Sequence, residues 1–347
     1  MTKKKKQQMG MIITLCIVLC GLGIGYFLAA KKQQQKEDEA KESEITLYSL
    51  KEDDITTLHY KNGTADITFV KEDKSWKLKD DKAFPVNQSK VKNMVADVAK
   101  MTAKRLVAKD CDDMTDYELD SPQLVVELST KSGDTKKLSY GLETAAAGGC
   151  YAYMDQEKDV YVVASNVTSD FEYTRNQLMK VPDAPDIDSD RVNVYQVKTA
   201  KGESFTAKKV TQKASDDSKD TSEDTKSWSI KKSTGKVTDY DYTALDNAEA
   251  VLEDLSVSEG VCYQATTADK KKYGLLTPKD TITIKYDTVS AEDTSESEDT
   301  KKTHHVYTLL VGKENKSTGD FYVSIKGEKG IYLMSSDTIK TLVSELL

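Results

Sequence analysis

The second half of this chain repeats the first, and that repetition constrains its fold more than any other feature. YELDSP at 117–122 returns as YGLLTP at 273–278, with tyrosine, leucine, a hydroxyl residue and proline in the same places. KSWKLK at 74–79 returns as KSWSIK at 226–231, and these segments carry the only two tryptophans, Trp76 and Trp228. An amphipathic stretch follows each tryptophan. Val91, Met94, Val95 and Val98 fall at helical spacing in NQSKVKNMVADVAKM (87–101), as do Leu245, Ala248, Leu252 and Leu255 in TALDNAEAVLEDL (243–255). Asn87 and Thr243 read as the N-caps of these helices. Beyond the prolines, strands that begin at Pro122 and Pro278 are expected to carry the alternating runs QLVVELS (123–129) and DTITIKYD (280–287). KKLSYG, ending at Gly141, then matches VYTLLVG, ending at Gly312. CYAYMDQEKDVYVVAS (150–165) matches FYVSIKGEKGIYLMSS (321–336), which aligns Tyr151 with Tyr322 and Tyr161 with Tyr332. The order is kept throughout, so a unit of about 150 residues is present twice.

The offset between copies widens from 152 residues at the tryptophans to 156 at the prolines and 171 at the glycines. Two acidic, Ser/Thr-rich insertions lengthen turns of the second copy: KASDDSKDTSEDTKS (213–227) and VSAEDTSESEDTKKT (289–303). Neither has apolar residues enough for a core, so disordered tips are expected near 213–226 and 289–303. Each copy reads as a strand, a strand ending at tryptophan, a helix, a connecting turn and about four further antiparallel strands. The fold class is α+β: two tandem homologous units of antiparallel sheet, each with one covering helix. The first unit is placed at 45–181, a linker at 182–190 and the second unit at 191–347.

Met9 to Ala30 is a run of 22 residues without a charge. At about 1.5 Å per residue a helix of that length crosses a bilayer core. Lys3–Lys6 precede it and Lys31 and Lys32 follow it, so residues 1–8 read as a cytoplasmic basic tail and the remainder as extracytoplasmic. Leu15 and Leu19 stand where a lipoprotein signal needs a small residue before Cys16 or Cys20, and Leu28 spoils a cleavage site after Ala30. A single uncleaved transmembrane anchor over 9–30 is the reading, with Gly21 and Gly25 at helix-pairing spacing. Residues 31–44, KKQQQKEDEAKESE, form a polar stalk.

The first 32 residues carry six lysines and no acid against a total of −8, which leaves −14 on the rest. Such a surface repels nucleic acid, anionic lipid and anionic wall polymers, so nucleic acid is excluded as a partner. Outside the anchor the cysteines are Cys111, Cys150 and Cys262, with no CxxC and no histidine close by in sequence for zinc. Cys111 with Cys150 is the one disulfide considered, against free thiols as the commoner outcome. His59, His304 and His305 read as exposed strand or loop residues.

Motifs for chemistry are few. Ser89-x-x-Lys92 and Lys131-Ser-Gly133 are two of the three boxes of penicillin-recognising serine enzymes, but the middle box is missing and the second copy has neither. The pairs Asp53/Asp54 and Asp112/Asp113 suit glycoside cleavage in principle. With 58 acids in the chain, such neighbours arise from composition. Asp186, Asp188 and Asp190 imitate the start of a calcium loop, yet Arg191 and Val197 stand where it needs glycine and glutamate. Tyr151, Tyr153, Tyr161, Tyr322 and Tyr332 read as strand packing, with a tyrosine-lined groove as the other reading. The tryptophans read as packed beneath each helix. No catalytic, cofactor-binding or metal-ligating residue is assigned, and no cofactor is expected.

With these features assembled, the chain resembles the bacterial family catalogued as domain of unknown function 4340. The resemblance rests on tryptophan-ending hairpins, a helix, and a Tyr-Gly-Leu-x-x-Pro turn, here Tyr273, Gly274, Leu275 and Pro278. Tyr117, Glu118, Leu119 and Pro122 give a weaker form with glutamate in place of glycine. What the resemblance implies is a membrane-anchored envelope protein, often associated with ABC-type transporter systems. The expected function is a non-catalytic accessory or scaffold with an envelope protein as partner. The alternative is a binding module for a glycan, peptide or exported substrate.

Overall fold

The computed structural model describes residues 44–144, 148–155, 157–212, 225–238, 240–289 and 302–347. The expected basic tail, anchor (9–30) and stalk, and all but the strand-borne ends of both acidic insertions, lie outside the described residues. Among the described residues no helix is long and apolar enough to cross a membrane.

The first copy opens with β1 (Ile45–Ser49), β2 (Ile55–Asn62), β3 (Asp66–Glu72) and β4 (Ser75–Leu78). Helix α1 (Gln88–Ala99) leads directly into β5 (Lys100–Ala108). Then come β6 (Leu124–Thr130), β7 (Thr135–Thr144), β8 (Gly149–Met154), β9 (Val160–Ala164) and the short α2 (Asn166–Ser169). The second copy has β10 (Val192–Thr199), β11 (Ser204–Gln212), β12 (Thr225–Lys232) and β13 (Gly235–Val237) before α3 (Thr243–Leu252). It continues with β14 (Glu259–Cys262), α4 (Thr267–Lys272), β15 (Asp280–Val289), β16 (Lys302–Glu314), β17 (Phe321–Ile325), β18 (Ile331–Met334) and α5 (Ser336–Ile339).

These strands form two nine-stranded sheets, ordered β1-β5-β9-β8-β7-β6-β2-β3-β4 and β13-β12-β11-β10-β15-β16-β17-β18-β14. Reversing the first and matching strands by repeat position gives the same eight-strand order in both. The copies differ only in the ninth strand, β1 at one edge and β13 at the opposite one. Each long helix carries the chain from one edge of its sheet to the far side. Strand β2 (ITTLHYKN) and strand β10 (VNVYQVKT) even share one pattern of burial, residue by residue. The bulges recur as well. One falls between Ile55 and Thr57 and again between Val192 and Val194; the other falls between Tyr140 and Glu143 and again between Val311 and Glu314. An inherited bulge is a retained structural device rather than a defect.

Local chemistry explains the helices. The Asn87 side-chain oxygen accepts from the Lys90 N–H at 3.2 Å, the expected cap of α1. Thr243 is the first helical residue and not the cap. The cap is Tyr242, whose side chain makes no cap bond, and the Asp241 carboxylate just before it accepts from the Thr243 N–H at 3.0 Å and its hydroxyl at 2.6 Å. Val91, Met94, Val95 and Val98 are buried, as are Leu245, Ala248 and Leu252.

Three expectations need correction. Five strands, not four, follow each helix, because β5 and β14 occupy what reads as connecting turn. Three strands, not two, precede α1 beyond β1. The strands after the prolines start at Leu124 and Asp280, two residues later than expected.

By packing density the chain divides into two compact units. Of the described residues, one comprises those up to Ser75 with those of Lys92–Glu172, and the other those of Trp76–Val91 with Tyr173–Leu347.

Candidate functional site

The duplicated phrase builds one corner in each unit. In the first, Thr115–Tyr117 form a 3-10 turn and Glu118 follows at φ 54°, in the left-handed region. In the second, α4 ends at Tyr273 and Gly274 follows at φ 77°. Left-handed backbone turns the chain sharply enough to bury Leu119 and Leu275, which are 2% and 3% exposed. The corner then rests on the second bulge of its sheet. A Cβ on Gly141 would strike the Tyr117 carbonyl oxygen and sit 2.9 Å from Leu119 Cδ2. A Cβ on Gly312 would strike the Tyr273 carbonyl oxygen and sit 3.1 Å from Leu275 Cγ. Both glycines are therefore required by close approach. The leading tyrosines meet partners at equivalent positions: Tyr117 packs against Tyr151 at 4.9 Å between centroids, and Tyr273 against Tyr322 at 4.5 Å.

The second unit also contains an open cleft of about 360 Å³, lined among others by Pro85, Met179, Pro182, Tyr263, Lys329 and Tyr332. A polar clamp borders it. Arg175 bonds the Asp80 carboxylate at 2.6 Å and the Asp81 carboxylate at 3.0 Å, and the Tyr263 hydroxyl donates to Asp81 at 2.8 Å. The Tyr263 hydroxyl, then the Ala83 N–H and Arg175, hold the Asp81 carboxyl below the usual carboxylate range. The same bond pushes the Tyr263 hydroxyl up. Phe84 meets the Tyr263 ring edge-on at 5.5 Å. Gly260 of β14 lies so close to Met179 that a Cβ there would be 2.6 Å from its sulfur. What this cleft offers is apolar and aromatic wall with lysine at the rim, which suits binding.

The family model for the domain of unknown function DUF4340 matches this chain over residues 76–278 and again over 228–346. The chain belongs to the DUF4340 family. The two matches overlap, and each begins at a tryptophan of the repeated KSW segment, as a duplicated unit requires. No curated protein matches the chain, and no solved structure does.

In this DUF4340 protein the residues singled out from sequence serve mainly local structure. Ser89 and Lys92 are exposed on α1, and Lys131–Gly133 form a hairpin turn in which Thr130, Ser132 and Asp134 bond one another. Asp53 pairs with Lys71 and Asp54 with Lys131. Asp112 pairs with Lys158, and Asp113 caps the turn by accepting from the Thr115 N–H at 3.0 Å. Asp188 accepts from the Asp190 N–H and pairs with Arg191 at 2.8 Å, closing a single 3-10 turn. Cys111, Cys150 and Cys262 are free, so the Cys111–Cys150 bridge is not formed. Trp76 is 2% exposed, and its backbone is clasped by Gln88, which accepts from its N–H and donates to its carbonyl, both at 2.8 Å. Trp228 is only half-buried, with the Lys209 ammonium 5.1 Å from its ring. The three histidines each meet a polar side chain: His59 with Asp66, His304 with Asp287, His305 with Thr288.

Sequence reasoning missed two groups. The Arg175 clamp joins residues far apart in the chain; its one available signal is that Arg175 is among only three arginines in a lysine-rich protein. The other is Asp97 of α1. Burial first, then a hydrogen bond with the Asp170 carboxyl, pushes it up to about 6.

Proposed function

We propose that this protein is a single-pass, extracytoplasmic accessory or scaffold component of an envelope complex, in which a cytoplasmic basic tail and the anchor at 9–30 hold two sheet units outside the membrane. The partner is an envelope protein, and subunits of an ABC-type transporter are the partner class that the family resemblance favours. The observation that carries the non-catalytic reading is the employment of the candidate chemical groups. The carboxylates at 53, 54, 112, 113 and 188 each pair with a nearby lysine or arginine or cap a turn. Ser89 stands exposed on a helix. Crosslinking in native membranes followed by mass spectrometry tests this reading: a transporter or other envelope subunit is the expected capture, and repeated recovery of the protein alone counts against it. Alkaline extraction tests the anchor separately, with the protein expected in the membrane pellet.

The cleft supports a second reading, a binding module for a peptide or neutral glycan. Tyr263, Tyr332 and two prolines supply stacking surface. Pull-down on purified cell wall, with Tyr263→Ala as control, separates the two: retention by the parent and loss in the variant favours the module.

A further inference from the structure

The two corners share a left-handed residue and a buried leucine, and they carry opposite charge. Residues 112–123 of the first hold Asp112, Asp113, Asp116, Glu118 and Asp120 and no base. Residues 268–279 of the second hold Lys270, Lys271, Lys272 and Lys279 against one acid, Asp269, whose carboxylate is occupied in the Thr266 capping box. Asp116 and Lys272 are equivalent positions with reversed sign. At the bulge below, Leu142 of the first copy is replaced by Lys313. Local pairing neutralises little of this: Lys158 takes Asp112, and Lys279 reaches Asp280 at 3.8 Å. Asp116, Glu118 and Asp120 are exposed on one side, and Lys271, Lys272, Lys279 and Lys313 on the other. Each corner also leaves one leucine in solvent, Leu142 at 39% and Leu276 at 54% exposed, beside a half-buried tyrosine pair.

Opposite charge around exposed leucine and tyrosine is the composition of a modest protein–protein contact, in which charge selects the partner and the apolar centre supplies affinity. We propose that the acidic corner of one copy of this chain docks on the basic corner of a second copy, a head-to-tail contact between non-identical patches. The corners descend from one structure, so substitutions that made one acidic and the other basic built complementary surfaces on a single gene product. In a chain that is −14 beyond residue 32, a basic corner is also the surface on which a second copy is attracted rather than repelled.

The test is the self-association of the full chain in detergent micelles, by sedimentation equilibrium, with charge-reversed variants. Asp116→Lys, Glu118→Lys and Asp120→Lys together carry residues 112–123 from −5 to +1, so that both corners are basic; Lys270→Glu, Lys271→Glu and Lys272→Glu carry residues 268–279 from +3 to −3, so that both are acidic. The side chains of Asp116, Asp120 and Lys271 are exposed, and circular dichroism verifies that each variant is folded. The parent is expected to associate at about 50 mM salt and to weaken tenfold or more at about 500 mM, as screening shortens the reach of charge. Either variant alone is expected to lose association about tenfold, and an equimolar mixture of the two to regain it. Association that ignores both variants would place the contact elsewhere, in the anchor helix for instance, and overturn the proposal. A parent that stays monomeric at about 100 µM and low salt overturns it too, as does a mixture that fails to recover.

Discussion

Glu118 occupies backbone that a side chain adopts reluctantly, at φ 54°, while its counterpart Gly274 adopts φ 77° without a Cβ. The left-handed conformation costs an ordinary residue about 1–2 kcal/mol, partly offset because glycine loses more entropy on folding. Glu118→Gly is therefore expected to stabilise the first unit by about 0.5–1 kcal/mol, read as a higher urea midpoint. Gly274→Ala should do the reverse by about 1–3 kcal/mol, since its Cβ meets Lys313 Cγ at 2.8 Å on top of the conformational cost. A lowered midpoint for Glu118→Gly would mean that the Gln123–Glu118 bond at 2.9 Å outweighs the strain. Asp97 supplies the pH dependence. Its folded carboxyl is pushed up to about 6 by burial and by Asp170, against about 4 in an unfolded chain. The folded state binds that proton more tightly, so this contribution is full below about pH 4 and is lost as pH rises through about 6. Asp97→Asn removes the proton exchange. Its stability relative to the parent should therefore rise between these limits, and a parent–variant difference independent of pH would contradict the assignment.

At the level of elements, the copies keep an anchoring point in different chemistry. The carbonyl of Phe171, just after α2, accepts from the Asn62 side chain at 2.6 Å; that of Leu342, its equivalent after α5, accepts from the Tyr195 hydroxyl at 2.8 Å. Phe171 also meets the Tyr60 ring at 5.5 Å. In both units the last helical turn is thus tied to β2 or its counterpart β10, the earliest in chain order of the eight shared strands. Tyr195→Phe keeps the ring and deletes the bond, leaving a buried carbonyl unpaired, and is expected to cost about 1–3 kcal/mol in urea unfolding. A change near zero would mean that the carbonyl finds another donor. Sequence periodicity revealed α1, α3 and the strands from β6 to β9 because apolar residues there recur cleanly on one face. It hid β5, because Ala99 ends the helix and Lys100 begins the strand with no glycine or proline between them. It hid β14 because four residues, EGVC, carry too little pattern. The corner was legible through its repetition, which is a local signal. Arg175 with Asp80, Asp81 and Tyr263 was not, since nothing local joins side chains that only the fold brings together.

For the whole molecule, the repeat and the compact units do not share boundaries. The second compact unit takes in Trp76–Val91 and Tyr173–Asp190 besides the second repeat. A fragment cut at the sequence repeat, 191–347, would lose the Arg175 clamp on Tyr263 and the Met179 cover over Gly260. It is expected to unfold at lower urea than the same residues do within the full chain, measured by hydrogen exchange in β14 and β18. Equal protection would show that the clamp contributes nothing.

The edge-to-far-side crossing of each long helix also sets a timetable. Strand β5 is synthesised soon after α1 and finds β1 already made, but its other neighbour β9 comes only after three more strands; β14, with β18 alone beside it, waits through three strands for any partner. Hairpins such as β6–β7 close as soon as they emerge, whereas these pairings must hold until the unit is almost complete. Sequence-distant pairing of this kind slows folding. The final strand is thus the latch of the second copy, where β14 has nothing to join until β18 arrives, whereas the extra edge strand β1 gives β5 of the first copy a partner from the start.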